Sequence, residues 1–559
     1  MKKSSPKFKC TISIVSITVL AVCFGLSQVP IVFGVSPAPD GGYPNLNTAE
    51  GSNALFSLTT GDSNTAIGNV ALYSDTAGYE NTAVGNQALS NNTTGNYNTA
   101  TGAVALPYNT TGNYNVANGF AALDNNTTGN FNTACGAEAL FINTTGYENT
   151  ATGYDSLYSN TTGSDNTAGG QEALFSNTTG YDNTANGAVA LATNTTGSVN
   201  TATGFQALYS NTTGNDNTAN GESALLNNTT GNFNTANGGE TLVGNTTGAN
   251  NTATGFQALF SNSTGGYNTA NGVVALYSNT TGYDNTANGA YALLSNTVGF
   301  GETATGFNAL QYNTTGNDNT ADGVNALDNN TTGNNNTGCG FNALLANTTG
   351  SGNIALGYAA GGNLSTGSNN IDIGNLGVAG EANTIRIGTV GTQTVTFLAG
   401  VRGVAVGGGQ PVAVSASGQL GIRASSARFK EAIRPMDKAS EAILALNPVT
   451  FHYRRELDPE GIPQFGLVAE EVAKVNPDLV MRDEQGKPFT VRYDEVNAML
   501  LNEFLKQHKA FLKGRRKVED LEATVSRQQK QIEALTAGLQ KVNDELELRN
   551  PTLRTVSSN

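Results

Sequence analysis

Polar and apolar positions alternate along most of this chain with one fixed period. From Gly61 to Gly367 the unit Gly-x-x-Asn-Thr-Ala-x-Gly-x-x-Ala-Leu-x-x-Asn-Thr-Thr recurs every 17 residues, over eighteen intervals and without insertion. Its sixth position is alanine (Ala66, Ala83, Ala100, Ala117, Ala134), broken by Gly338. Its twelfth is leucine, from Leu72, Leu89 and Leu106 to Leu344. Each unit thus offers one small and one large apolar residue to a shared interior, the pattern of a solenoid whose coils bury their apolar sides on their neighbours. Seventeen residues are too few for two helices and a turn, and two glycines with a β-branched threonine oppose helix. Each unit is therefore expected to form one coil of a β-solenoid or β-roll, with two short strands and two turns. At about 4.8 Å per coil the eighteen intervals span roughly 85 Å.

Other columns carry further expectations. The glycines at the first and eighth positions suit turns that need φ > 0 or a close backbone approach. The fifteenth position is Asn92, Asn109, Asn126, Asn143 and onward to Asn347, whose amides can hydrogen-bond from coil to coil as a ladder. Glu148, Asp165 and Asp182 share the third position, and are read as a solvated edge rather than a calcium ladder. Tyr79, Tyr147, Tyr181 and Tyr283 share the second, and Phe120, Tyr154, Phe205, Phe256, Phe307 and Phe341 the ninth. Such columns pack between coils or chains, or stack on sugars.

The pattern changes at both ends. Residues 1–34 read as a secretory signal, with Lys2, Lys3, Lys7 and Lys9 before the apolar run from Ile12 to Leu26. Residues 35–60 are a lead-in, 61–367 the shaft, and 368–424 a β-rich neck carrying Ile371, Ile373, Ile385, Ile387, Val395 and Phe397. Gly407-Gly408-Gly409 lacks the Lys-Ser/Thr of a phosphate loop and reads as linker. Beyond Ser425, charge, helix formers and both histidines appear: residues 425–515 read as a small α+β domain, 516–549 as a coiled coil and 550–559 as a tail. The heptad seam is Val518, Val525, Ile532, Leu539 and Leu546, faced by Leu521, Gln528, Leu535 and Val542. The fold class is accordingly mainly β, a solenoid of 17-residue repeats followed by a small α+β domain and a C-terminal coiled coil.

Charge narrows the partners. The net charge is −15, and no lysine or arginine stands between Lys9 and Arg386, which argues against nucleic acid and anionic membrane. Cys10 and Cys23 fall in the signal, while Cys135 and Cys339 lie twelve units apart, beyond disulfide reach. No Cys/His spacing fits a metal, and neither metal nor cofactor is expected. No membrane span is expected once the signal is cleaved.

Five segments occur in order beyond the neck: Ser425-Ser426-Ala427-Arg428-Phe429-Lys430-Glu431-Ala432-Ile433, Leu446-Asn447-Pro448-Val449, Gly466-Leu467-Val468-Ala469-Glu470-Glu471-Val472, Asn476-Pro477-Asp478-Leu479-Val480 and Val491-Arg492-Tyr493. Together they resemble the intramolecular chaperone auto-processing domain of phage tailspikes, endosialidases and tail fibres. The repeats separately resemble the β-roll heads of trimeric autotransporter adhesins. The first resemblance implies a homotrimer nucleated from the C-terminus, and a self-cleaving serine peptidase dyad of Ser425 and Lys430 acting only on its own chain. The scissile bond would lie beside Ser425, with Ser425 and Ser426 marking the cleavage site. Ser426 stands where that family usually has Asp. The expected protein is a secreted or cell-surface trimeric fibre. The alternatives are a non-cleaving fibre with a permanent trimerisation domain, and a spike that binds or cleaves surface glycans.

Overall fold

The computed structural model describes residues 44–398, 411–415, 417–483 and 485–549. The expected signal at 1–34, the Gly407-Gly408-Gly409 linker and the 550–559 tail lie outside the described residues. The chain separates into two compact units that meet in sequence at Ala405/Val406.

The first unit is a β-solenoid. Twenty-one strands of three residues, β1 (Thr48–Glu50) to β21 (Ile385–Ile387), form one parallel sheet. The register is one coil per strand, as in Thr201↔Thr218 and Ala202↔Ala219. In eighteen of these strands the central residue is an alanine that points inward, with its neighbours outward; Gly338, Asp372 and Arg386 take its place in the others. The Leu column closes the interior from the opposite side, and Leu72 through Leu344 are fully buried.

Each coil holds one strand, not the expected two. The second apolar pair cannot extend, because its leucine is left-handed: Leu72 has φ 48°, Leu89 49°, Leu208 52° and Leu344 53°. The third and tenth positions are left-handed as well, as at Asp165 (φ 60°) and Glu172 (φ 54°). Three such residues per coil are unfavourable for L-amino acids and persist because surrounding structure over-determines them. The two glycine columns differ in purpose. Gly102 at the eighth position has φ +136°, open to glycine alone, whereas Gly95 at the first has ordinary φ and abuts Asn92 Oδ1 and Gly112 O.

The polar interior is built from side-chain ladders. At the fifteenth position Asn126 Nδ2 donates to Asn109 Oδ1 (2.9 Å) and to Gly129 O (3.1 Å). A second ladder, not foreseen, runs through the fourth position. Asn132 Nδ2 donates to Asn115 Oδ1 (3.2 Å) and Gly146 O (2.8 Å), and Asn132 N donates to the same Oδ1 at 3.0 Å. A third uses hydroxyls, with Thr127 Oγ1 donating to Thr144 O (3.0 Å). Fully paired buried amides fix neighbours in place where a thin apolar core alone would not.

The parallel ladder extends past both edges of the strict period. Upstream, Thr48 pairs with Thr65, Pro44 takes the glycine's place, and Leu55 joins the Leu column. Downstream, Ile371 pairs with Ile385 across a coil of 14 residues, so Ile371–Ile373 and Ile385–Ile387 continue the shaft's sheet. The buried alanine column ends there in charge: Asp372, then Arg386, whose guanidinium holds Glu381 at 2.6 Å. Arg386, partly exposed on the last coil, gives that end the polar face a terminal repeat needs. Cys135 and Cys339 are free thiols.

In the second unit, three two-stranded antiparallel ladders precede the long helix. They are β22 (Ala413–Val414) with β23 (Leu420–Gly421), β24 (Val449–Phe451) with β25 (Gln464–Gly466), and β26 (Val480–Arg482) with β27 (Pro488–Val491). Helix α1 spans Ala469–Val475 and α2 spans Tyr493–Arg549. Val472, Leu479, Val480, Val491 and Met499 make the small core. Along α2 the heptad seam is exposed in the single chain, with Val525 61%, Ile532 56% and Leu539 69% accessible. Such an apolar stripe is what one strand of a coiled coil presents.

Candidate functional site: a serine–lysine pair beside a clamped fold

Ser425 and Lys430 come together. Ser426 caps a single 3-10 turn, Ala427–Phe429, with extended φ −64° and ψ 141°. Phe429 N donates to Ser426 O and Lys430 N to Ala427 O, both at 3.0 Å, which turns the chain back on itself. Lys430 Nζ then donates to Ser425 Oγ at 3.2 Å. A five-residue separation in an extended segment would leave these groups far apart; the single turn closes the gap. Ser426, the residue beside the nucleophile candidate, serves the turn with its backbone carbonyl. Arg428 lies over the Phe429 ring, 4.6 Å from its centroid. All these residues are exposed in the single chain.

The remaining motifs hold the small domain to the root of α2. Tyr493 Oη accepts from Leu467 N (3.1 Å), and a Cβ on Gly466 would sit 2.8 Å from that oxygen. Arg492 donates to Asp478 O (3.1 Å) and to Glu495 (2.6 Å). Arg423, two residues before Ser425, pairs with Asp494 and Glu495, each at 3.2 Å. The chain entering the Ser–Lys turn is thereby tied to the first turn of α2. Burial is the largest single influence on Glu495 and raises its pKa, but its own backbone N–H, Arg492 and Arg423 together outweigh it and hold the carboxyl below its ordinary value.

A second polar cluster escaped the sequence reading. Ser440, fully buried, donates to Glu503 Oε1 and accepts from Asn502 Nδ2 (2.7 Å) and Lys506 Nζ (3.1 Å). Lys506 also pairs with Glu503 at 2.6 Å. The Glu503–Lys506 spacing on one helix was its only sequence signal. With its hydroxyl committed on every side and no access, Ser440 fastens the Asp437–Ala445 3-10 helix to α2. His452 Nδ1 lies 2.9 Å from Gly461 O, a contact that closes the β24–β25 loop.

On the shaft, the third-position acids lie in left-handed turns, Asp165 at φ 60° and Asp182 at φ 55°. Aromatic residues stack in short runs: Tyr97 on Tyr114 at 4.6 Å, Tyr114 on Phe131 at 5.0 Å, and Phe141, Tyr158 and Phe175 at 5.0 and 5.2 Å. Among the described residues no helix is long and apolar enough to cross a membrane.

Residues 425–481 match the family described as the chaperone of endosialidase. No curated protein matches the chain, and no solved structure does.

Proposed function

We propose that this protein is a homotrimeric fibre, secreted or displayed at the cell surface, whose C-terminal unit assembles the shaft and then cleaves itself off beside Ser425. The observation that carries this reading is the succession of parts. A shaft of near-identical coils, which cannot tell one register from the next, is followed by a segment matching an endosialidase chaperone and by a helix with an unpartnered heptad seam. Three seams that pair first align three shafts.

The cleavage chemistry uses the 3.2 Å contact. Burial by a neighbouring chain is what lets a lysine amine give up its proton near neutral pH. The neutral Lys430 amine takes the Ser425 hydroxyl proton, and Oγ attacks the carbonyl carbon of the adjacent peptide bond. The C–N bond breaks, the departing nitrogen takes the proton back from Lys430, and water hydrolyses the resulting ester. Delayed burial would make cleavage wait for assembly.

The test is a denaturing gel of the chain from residue 35 onward, beside Ser425→Ala and Lys430→Ala, with sedimentation of each. A wild type that splits near residue 425 while both variants stay whole supports self-cleavage. Three whole chains that sediment as trimers would make the C-terminal unit a permanent clamp and end the peptidase claim.

A second reading, a glycan-binding shaft, is favoured by the Tyr97–Tyr114–Phe131 stack, since Tyr114 and Phe131 expose about half their surface. Flat aromatic faces suit sugar rings. Loss of glycan-array binding in Tyr114→Ala would support it, and unchanged binding would remove it.

A further inference from the structure

We infer that the first residue of every shaft strand forms the line along which three copies of this chain meet, parallel and in register. This rests on the homotrimer proposed above and names its contact surface.

The two outward positions of each strand differ. The first is β-branched in all twenty-one strands: threonine in seventeen, with Val116, Ile354, Ile371 and Ile385. The third, on the same face of the same strands, takes Glu50, Asn118, Cys135, Gly169, Asp322 and Leu356 among others. Strand propensity acts on both columns alike, so it does not account for the uniformity of one. Nor does packing within the chain. The first column is exposed or half-exposed in every strand, as at Thr99, Thr201 and Ile354. The threonines that follow the fifteenth-position asparagine spend their hydroxyls internally, with Thr212 Oγ1 on Thr229 O at 3.0 Å. Among the described residues no hydroxyl of the strand column does so.

A constraint repeated at every coil requires a partner with the same repeat. Another copy of the shaft has it; the column supplies the line of contact, and the α2 seams supply the register, since a uniform column pairs equally well one coil out. The electrostatics agree. Residues 61–367 carry acids and no lysine or arginine, so copies of the shaft are brought together at least cost along a line without charge, and this column has none. The aromatic stacks run for three or four coils and stop, so they cannot serve the full length. A strip about 95 Å long and about 10 Å wide covers roughly 950 Å² per chain, shared between two neighbours and added to what the α2 seams bury. Toward the C-terminal end the column turns to isoleucine, and Leu356, Ile373 and Ile387 stand beside it. The line of contact is therefore most apolar at the end where assembly would begin. A three-fold arrangement of identical contacts closes on itself and leaves no open surface for runaway growth.

The experiment places single cysteines in the full chain, with Cys135 and Cys339 changed to serine. Thr201→Cys lies on the proposed line and Ser210→Cys on another face of the same coil. Both are near-isosteric. After mild oxidation, Thr201→Cys is expected to run as a disulfide-linked dimer for up to about two thirds of chains, since two of three cysteines around a three-fold axis can pair. Ser210→Cys, half-buried within its own chain, should stay unlinked and alkylate at the same rate whether or not the chains assemble. A trimer by sedimentation in which Thr201→Cys neither links nor resists alkylation would overturn the interface while leaving the trimer intact. A monomer by sedimentation would overturn the trimer, and the interface with it.

Discussion

Asn319 Nδ2 donates a 3.0 Å hydrogen bond to Glu302 Oε1, so a carboxyl fills one rung of a ladder that elsewhere is asparagine. Glu302 is fully buried, and desolvation pushes its pKa from 4.5 up to about 8, against the opposing hydrogen bonds from Asn319. The folded chain therefore keeps this proton at pH values where the unfolded chain has released it. The associated stability is full below pH 4.5 and falls by about 1.4 kcal/mol per pH unit until pH 8. Glu302→Asn should remove this slope. Thermal unfolding at pH 5 and pH 8 is expected to show the variant gaining on the wild type at the higher pH, and parallel curves would refute the assignment.

Asp372 occupies the buried alanine column with both carboxyl oxygens unpaired. Its pKa is raised to about 6 by burial first and Glu381 second, with Arg386 opposing. Replacing it with the alanine that the column uses elsewhere removes an unsatisfied group worth about 1–3 kcal/mol. Asp372→Ala should raise the unfolding temperature at pH 7 by a few degrees. A lower temperature would mean that Arg386 depends on this carboxylate more than on Glu381.

Asn211 donates to Asn194 Oδ1 (2.8 Å) and Gly214 O (3.0 Å) and accepts from Asn228 Nδ2 (2.8 Å). Asn211→Ala leaves Asn194 Oδ1 and one N–H of Asn228 buried and without a partner, at about 1–3 kcal/mol each, while Gly214 O keeps its bond from Asn200 Nδ2 (2.8 Å). In a stacked array the damage concentrates between adjacent coils. Hydrogen exchange should show lost protection around residues 194–228, with distant coils unchanged.

Three glycine substitutions should behave differently. An added methyl at Gly214 would overlap Asn211 Oδ1 and sit 2.5 Å from Gly231 O. At Gly204 it would lie 2.6 Å from Gly221 O on a backbone at φ +130°. Both changes to alanine should cost about 3 kcal/mol or more: Gly214, at ordinary φ, through the clash with its neighbours, and Gly204 through a clash plus backbone strain of about 1–3 kcal/mol. At Gly239 the nearest atom is the Phe256 ring at 3.7 Å, so Gly239→Ala should be neutral within about 0.5 kcal/mol. Denaturant midpoints would rank the three.

Lys430→Arg separates the roles of the lysine. Arginine keeps the charge and can still donate to Ser425 Oγ, but it does not deprotonate in proteins. If Lys430 is the base, the variant should assemble as the wild type does and remain whole on a denaturing gel. Cleavage in Lys430→Arg would show that the side chain only positions Ser425.

The sequence by itself determined whatever repeats or lies close along the chain. The 17-residue period, the Ala66 and Leu72 columns and the Asn92–Asn347 ladder were legible because a stacked array places identical residues on one another. The heptad seam from Val518 to Leu546 and the motifs around Ser425 were legible for the same local reason. The tertiary structure decided what depends on backbone dihedrals and on neighbours from other coils. The left-handed φ of Leu72 and its equivalents turned an expected second strand into a turn. The fourth-position asparagines became a second ladder because adjacent coils present a glycine carbonyl to them. A 14-residue coil carried the sheet to Ile387, where the period had already failed. Ser425 and Lys430 were named from a motif, but their contact depends on one 3-10 turn, and residue spacing alone does not choose between a turn and an extended chain.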